Sequence, residues 1–235
     1  MKIEIWSDYV CPFCYIGKRR LESALEKFAH SDDVEVKFKS FELDPNASRD
    51  TNESVYEILA KKYSMSIEEA KKMTEEVVAQ ARTVGLNFDF NTMLRTNTLD
   101  AHRLAKLAET KGKDKEVAER LLSAYFIEAK HIGDHATLTS LAVATGLDLQ
   151  EVKDVLNGND FEEEVRFDQN KAKDIGVQGV PFFVINDKYA ISGAQATETF
   201  LNALEKVWDE ENKQKPLQTL STSNKGSICN DESCQ

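Results

Sequence analysis

Cys11-Pro12-Phe13-Cys14 sets two thiols three positions apart, directly after the apolar run Ile3 to Val10 and at the start of a helical pattern, Tyr15 to Ala29. The first backbone N–H groups of a helix lack intrahelical partners, and the macrodipole presents partial positive charge there, so a thiolate is stabilised. Pro12 suits the first helical position because its fixed φ is helical and its missing N–H is not needed. Cys11 is then the expected N-cap, its sulfur accepting from N–H groups one turn in. Such placement lowers a cysteine pKa from ~8.5 to roughly 3.5–7.5. Cys11, alone of the two both capped and exposed, is the expected nucleophile, and Cys14, its sulfur facing inward, the expected resolving thiol. The spacing alone also fits half of a zinc site, or two inert buried thiols.

The elements that must hold such a pair are legible on either side of it. Ile3 to Val10 reads as a strand, and Tyr15 to Ala29 as a helix with Ile16, Leu21, Leu25 and Phe28 inward. Val34 to Phe41 alternates strictly, completing a βαβ unit. From Thr51 to Gly176 the period turns helical, with segments near Glu53–Tyr63, Ile67–Val84, Asn97–Thr110, Lys115–Lys130, Thr137–Thr145, Leu149–Leu156 and Phe161–Ile175. Gly85, Gly112, Gly133, Gly146, Gly158 and Gly176 fall at or past their ends, where a left-handed C-cap favours glycine. Strands Phe182–Asn186 and Lys188–Ser192 around an Asn186-Asp187 turn, then a helix Thr197–Asp209, form the closing ββα half. Gly179-Val180-Pro181 opens the first of these strands. A cis Val180–Pro181 bond would present the Val180 backbone to an extended substrate, and a trans proline that merely starts a strand is the plainer reading.

Composition narrows the setting. The chain has 235 residues, 41% of them hydrophobic, enough for a core without disulfide staples. No run approaches membrane-spanning length, and Met1 leads directly into a strand with no signal segment, so a cytoplasmic protein is expected. Four cysteines in a reducing compartment read as catalytic, sensing or metal-binding. A net charge of −11 without a basic cluster argues against a nucleic-acid partner. His131 and His135 flank Gly133 at a spacing open to a metal, with a solvated turn as the plainer reading, and no metal is expected. Tyr125, Phe126 and Ile127 are adjacent and cannot share one face, so part of that group could border a groove.

Trp6 to Gly17, containing the dithiol, resembles the N-terminal signature of the DsbA-like group of the thioredoxin superfamily, which includes FrnE-type proteins. Gly179-Val180-Pro181-Phe182-Phe183 resembles its cis-proline segment, and Asn97 to Leu104 a segment of its helical insert, so the likeness runs nearly to Trp208. It implies an α/β thioredoxin-like fold, residues 1–50 and 176–210, interrupted by an all-α insertion, 51–175, and followed by a tail, 211–235. It implies a protein-disulfide oxidoreductase acting on protein or small-molecule disulfides and thiols. Cys11 and Cys14 would be catalytic, and Pro12, Phe13, Val180, Pro181 and His102 would border the substrate. His102 would face the dithiol and tune Cys11, although a lone helical histidine also fits simple packing. No cofactor beyond the redox-active disulfide is implied; glutathione or thioredoxin is the candidate electron donor, and a homodimer is allowed.

Two positions depart from that pattern. Thioredoxin-like proteins often carry a buried acid six residues before the first cysteine; here Ile5 stands there, and Asp8 is the nearest carboxylate. Strongly oxidising members place a histidine inside the CxxC, whereas Phe13 offers Cys11 neither a cation nor a hydrogen bond, which tilts the expectation toward a weaker oxidant or a reductase. A second class is a glutathione-dependent isomerase or transferase of the kappa or hydroxychromene-carboxylate isomerase type, whose reactive position typically holds serine. A third is a zinc-stabilised binding protein using Cys11, Cys14, Cys229 and Cys234. In the tail, Asn212 to Ser227 has little to bury and reads as a linker reaching roughly 20–25 Å. Cys229 and Cys234 beyond it are the expected second redox pair exchanging with the first, against the plainer reading of an end that oxidises incidentally.

Overall fold

The computed structural model describes residues 1–49 and 53–212. Strand β1 (Lys2–Ser7) leads into helix α1 (Pro12–Lys27), and a short 3₁₀ turn, Ser31–Asp33, returns the chain to strand β2 (Glu35–Ser40). Helices α2 (Val55–Tyr63), α3 (Ile67–Arg82), α4 (Leu99–Thr110), α5 (Asp114–Phe126), α6 (His135–Ala144), α7 (Leu149–Asn157) and α8 (Glu162–Asp174) follow. Strands β3 (Phe182–Ile185) and β4 (Tyr189–Ser192) and helix α9 (Thr197–Asn212) complete the described chain. The sheet order is β2-β1-β3-β4. β1 pairs parallel with β2 from Lys2↔Glu35 to Ser7↔Ser40 and antiparallel with β3 from Ile3↔Ile185 to Trp6↔Phe182.

Period-two alternation in β1 and β3 decides what covers each face. Ile3, Ile5, Phe183 and Ile185 are buried with Leu21, Ala24 and Phe28 from the α1 region and Phe200, Leu204 and Val207 of α9. The intervening Trp6 and Val184 are buried with Ala172 of α8 and Val177 on the opposite face. Ile16 of α1 belongs to a third core together with Tyr9, Tyr15, Leu104, Leu121 and Phe126, so α1 is wedged between sheet and helices. The helices between β2 and β3 therefore share their core with the loop and helix that carry the cysteines.

The differences from the sequence reading are local. Gly85, Gly112, Gly146 and Gly176 have positive φ, but Gly158 caps α7 at φ −108°. Gly133 is required for space rather than for a left-handed cap, since a Cβ there would lie 1.9 Å from Thr96 Oγ1. Helix α9 continues to Asn212, past the expected start of the tail at 211. Its last turn is held by polar contacts with the β3–β4 hairpin, Lys188 to Glu210 at 3.0 Å and Asn186 to Glu211, which apolar periodicity does not register.

Candidate active site

The β1–α1 junction carries both thiols. Cys11 is the N-cap of α1, in extended conformation with Pro12 following. Its sulfur makes no capping hydrogen bond, contrary to expectation. The donor that such a cap would take, the Cys14 N–H, is already bonded to the Cys11 carbonyl at 3.0 Å. Cys11 instead donates its S–H to the Val180 carbonyl at 3.5 Å. The Val180–Pro181 bond is cis. Pro181 is buried against α1: a Cβ on Gly17 would come within 3.1 Å of Pro181 Cγ and 3.2 Å of Phe183 Cζ, so any side chain there would press the loop back by a few tenths of an ångström.

Both cysteines are free and nearly inaccessible, Cys11 at 4% and Cys14 at 3% exposure, which corrects the expectation that Cys11 alone is open to solvent. Their difference lies in their surroundings. The Cys14 sulfur accepts from the Asp8 N–H at 3.5 Å and interacts with the side chains of Cys11 and Ser7. Burial, reinforced by the hydrogen bond and charge of Cys11, pushes its pKa well above that of an ordinary thiol, against the opposing bonds from Ser7 and Asp8. Pro12 is half-buried and Phe13 exposed, so Phe13 and Val180 form the accessible rim of the dithiol.

His102 lies behind this rim, 2% exposed, and cannot touch a substrate. Its ring sits 4.7 Å from that of Tyr9, and its Nε2 is 3.4 Å from Asp8 Oδ1. Neither atom has a hydrogen-bond partner, although Asp8 Oδ2 accepts the Leu43 N–H at 2.7 Å. Unpartnered buried polar atoms cost about 1–3 kcal/mol each, so the arrangement calls for a role. Ile5, at the position of the absent acid, is simply core. Ser7 was not foreseen; the signal was available, because it follows Ile3 and Ile5 in the strand alternation.

Other expected features separate from the dithiol. His135 bonds Asp100 at 2.8 Å, and among the described residues no group of three or more metal-binding side chains occurs. Phe126 is core, Ile127 is exposed, and Tyr125 borders a cleft of about 600 Å³. That cleft opens beside Asp8 and Val10 and is lined by Val55, Ile58, Lys62 and Arg95. No described helix is long and apolar enough to cross a membrane. Cys229 and Cys234 lie outside the described residues.

The DsbA-like thioredoxin domain family matches residues 2–205. A probable DsbA oxidoreductase from Streptomyces coelicolor has a similar structure, with TM-score 0.86, 38% identity and coverage of 100% of this chain and 98% of that one. A 2-hydroxychromene-2-carboxylate isomerase aligns at TM-score 0.69 and 13% identity, covering 90% of this chain and 98% of its own. The cytosolic disulfide reductase DsbM of Pseudomonas aeruginosa, also solved with GSH, aligns at TM-score 0.61 and 15% identity, covering 89% of this chain and 100% of its own. The last two are similar in fold alone.

Proposed function

We propose, from the premise that this chain belongs to the DsbA-like thioredoxin domain family, that it is a thiol–disulfide oxidoreductase of the FrnE type. Cys11 attacks a substrate disulfide and Cys14 resolves the mixed disulfide. The observation that carries this reading is the contrast between two neighbouring thiols. Burial keeps Cys14 protonated, so the first attack falls to Cys11, whose sulfur faces the Val180 carbonyl on the exposed side of the pair. In the reducing direction, Cys11 sulfur bonds one sulfur of the substrate disulfide and expels the other as a thiolate. Cys14, once deprotonated, bonds Cys11, and the second substrate thiolate leaves. The pair loses two electrons and the substrate gains them.

The rim of exposed Phe13 and half-buried Val180 suits protein disulfides. The cleft beside Asp8 and Val10 sets Lys61, Lys62 and Arg95 together with Asp44 and Glu53 against Val55 and Ile58, and so suits a small disulfide or thiol bearing charges of both signs. Glutathione is such a molecule and is the electron donor this reading favours, in a cytoplasmic setting. The test is turnover of insulin disulfides in dithiothreitol by wild-type, Cys11→Ser and Cys14→Ser proteins. Loss of turnover in Cys11→Ser is expected, with Cys14→Ser retaining a single attack and accumulating mixed disulfide when the pre-reduced protein meets insulin without dithiothreitol. Equal loss of the first step in both would overturn the assignment.

The likeness to a hydroxychromene-carboxylate isomerase supports a second reading, glutathione-dependent isomerisation. A resolving thiol has no part in it, so it requires glutathione-dependent turnover that survives Cys14→Ser.

A further inference from the structure

The assignment of Cys14 as resolving thiol leaves its proton without an acceptor. Cys14 must lose that proton before it can attack, yet the acid that thioredoxin-like sites often bury near it is replaced by Ile5, a core residue. We propose that Asp8 and His102 together form the proton acceptor for Cys14, reached through the Ser7 hydroxyl.

Four observations meet at this point. Asp8 Oδ1 and His102 Nε2 face each other at 3.4 Å, both nearly inaccessible and both without another hydrogen-bond partner. An acid and a base so enclosed can hold one proton between them and take up or release another with little rearrangement. The Asp8 backbone N–H contacts the Cys14 sulfur at 3.5 Å, so the pair and the thiol are fixed by one short stretch of chain. The Ser7 side chain is close enough to interact with the same sulfur. Finally, Ser7 and His102 line one small cavity of about 10 Å³, close to the size of a single water. A hydroxyl that both donates and accepts can pass a proton from Cys14 across that space to His102.

The charges around His102 leave it as the member suited to this task. Lys39 of β2 and Lys106 of α4 both border the cavity, but both bind Asp168, at 3.3 and 2.6 Å. Glu109 of α4 also borders it and pairs with Lys106 at 3.2 Å. Asp114 at the start of α5 lines the same space, and Tyr9 packs at a tilt against the imidazole with its hydroxyl pKa pushed far up by burial, so it does not ionise in place of the pair.

In the resolving step, Cys14 gives its proton to Ser7 as Ser7 gives its own, by way of one water in the cavity that Ser7 and His102 line, to the Asp8–His102 pair. The Cys14 thiolate then bonds Cys11 sulfur, the bond from Cys11 to the substrate sulfur breaks, and the substrate leaves as a thiolate. The pair returns its proton to the leaving thiolate or to solvent. Asp8, Ser7 and His102 are positioning and relay groups; the reacting atoms are the three sulfurs.

This inference rests on the resolving role of Cys14, and the test separates the two. The full chain carrying Cys229→Ser and Cys234→Ser, reduced, is mixed with Ellman's reagent in a stopped flow from pH 6 to 9. The first thionitrobenzoate released reports attack by Cys11, and the second reports resolution by Cys14. His102→Gln and Asp8→Asn should each slow the second release about 100-fold at pH 7. The first release should stay within about twofold in both, which also reports an intact site, and the double variant should be no slower than either single. The deficit should shrink as pH rises and hydroxide replaces the pair. A second release as fast as in the parent, or equal slowing of both releases, would overturn the relay. A first release that persists in Cys11→Ser would overturn the functional reading itself.

Discussion

At the scale of residues, the site is two identical side chains made unequal by what surrounds them. Cys14 is enclosed by Ser7, the Asp8 backbone and Cys11, and burial raises its pKa. In a Cys11→Ser variant, alkylation of Cys14 should therefore have its midpoint above the ~8.5 of an ordinary thiol; a midpoint at or below that value would remove the distinction between the two roles. Linkage sets a second expectation. The folded chain keeps Cys14 protonated where the unfolded chain has already ionised it, so this contribution to stability is complete below ~8.5 and is lost as pH rises above that value. A chemical-denaturation midpoint that falls more steeply above pH 8.5 in wild type than in Cys14→Ala is the corresponding measurement. The dithiol and its flanking proline were legible in the sequence because CxxC chemistry and N1 proline are local patterns. The partner of the Cys11 sulfur was not, because Val180 lies 169 residues away and takes the thiol that a local capping rule would have used.

At the scale of elements, sequence periodicity placed β1, α1, the run of helices and the β3–β4 hairpin close to their observed bounds. Each buries a face that repeats at its own period: Ile3 and Ile5 in a strand, Leu21, Ala24 and Phe28 around a helix. What periodicity omits is the close approach of α1 to the Pro181 segment. Gly17→Ala gains about 1 kcal/mol of helix propensity, but its methyl would press on Pro181 and Phe183 at 3.1–3.2 Å. Overpacking of this kind costs about 1–3 kcal/mol, so a net loss of about 1 kcal/mol in denaturant unfolding is expected. A more stable variant would show that the loop yields freely. On the other face of β1, burial alone would raise the pKa of Glu4, but bonds from Lys171 and Lys2 and the charges of Lys171 and Lys39 bring it down to about 2. Its folded value lies below the ~4.3 of the unfolded chain, so Glu4 contributes in full above about pH 5 and its contribution, on the order of 2–3 kcal/mol, is lost as pH falls. Glu4→Gln should flatten the acid limb of stability between pH 5 and 2; parallel limbs would contradict this.

At the scale of the whole molecule, the thioredoxin-like sheet and the helices between β2 and β3 build one site. Lys18 of α1 reaches Glu119 of α5 at 2.6 Å, and Asp168 of α8 binds Lys106 of α4 and Lys39 of β2. His102 arrives on α4 against the loop that positions Cys14, so a segment more than eighty residues from the cysteines completes their surroundings. The interleaving was implied in the sequence only by Asn97 to Leu104, whose contacts with Asp8 and Tyr9 depend on packing between distant parts of the chain. Attack by Cys11 and resolution by Cys14 are told apart by trapping. Full-length Cys14→Ser is incubated with an oxidised cysteine peptide, and the mixed disulfide is located by mass mapping after non-reducing digestion. The peptide is expected on Cys11 and is released by dithiothreitol. No adduct at Cys11, or adducts confined to Cys229 and Cys234, would contradict it.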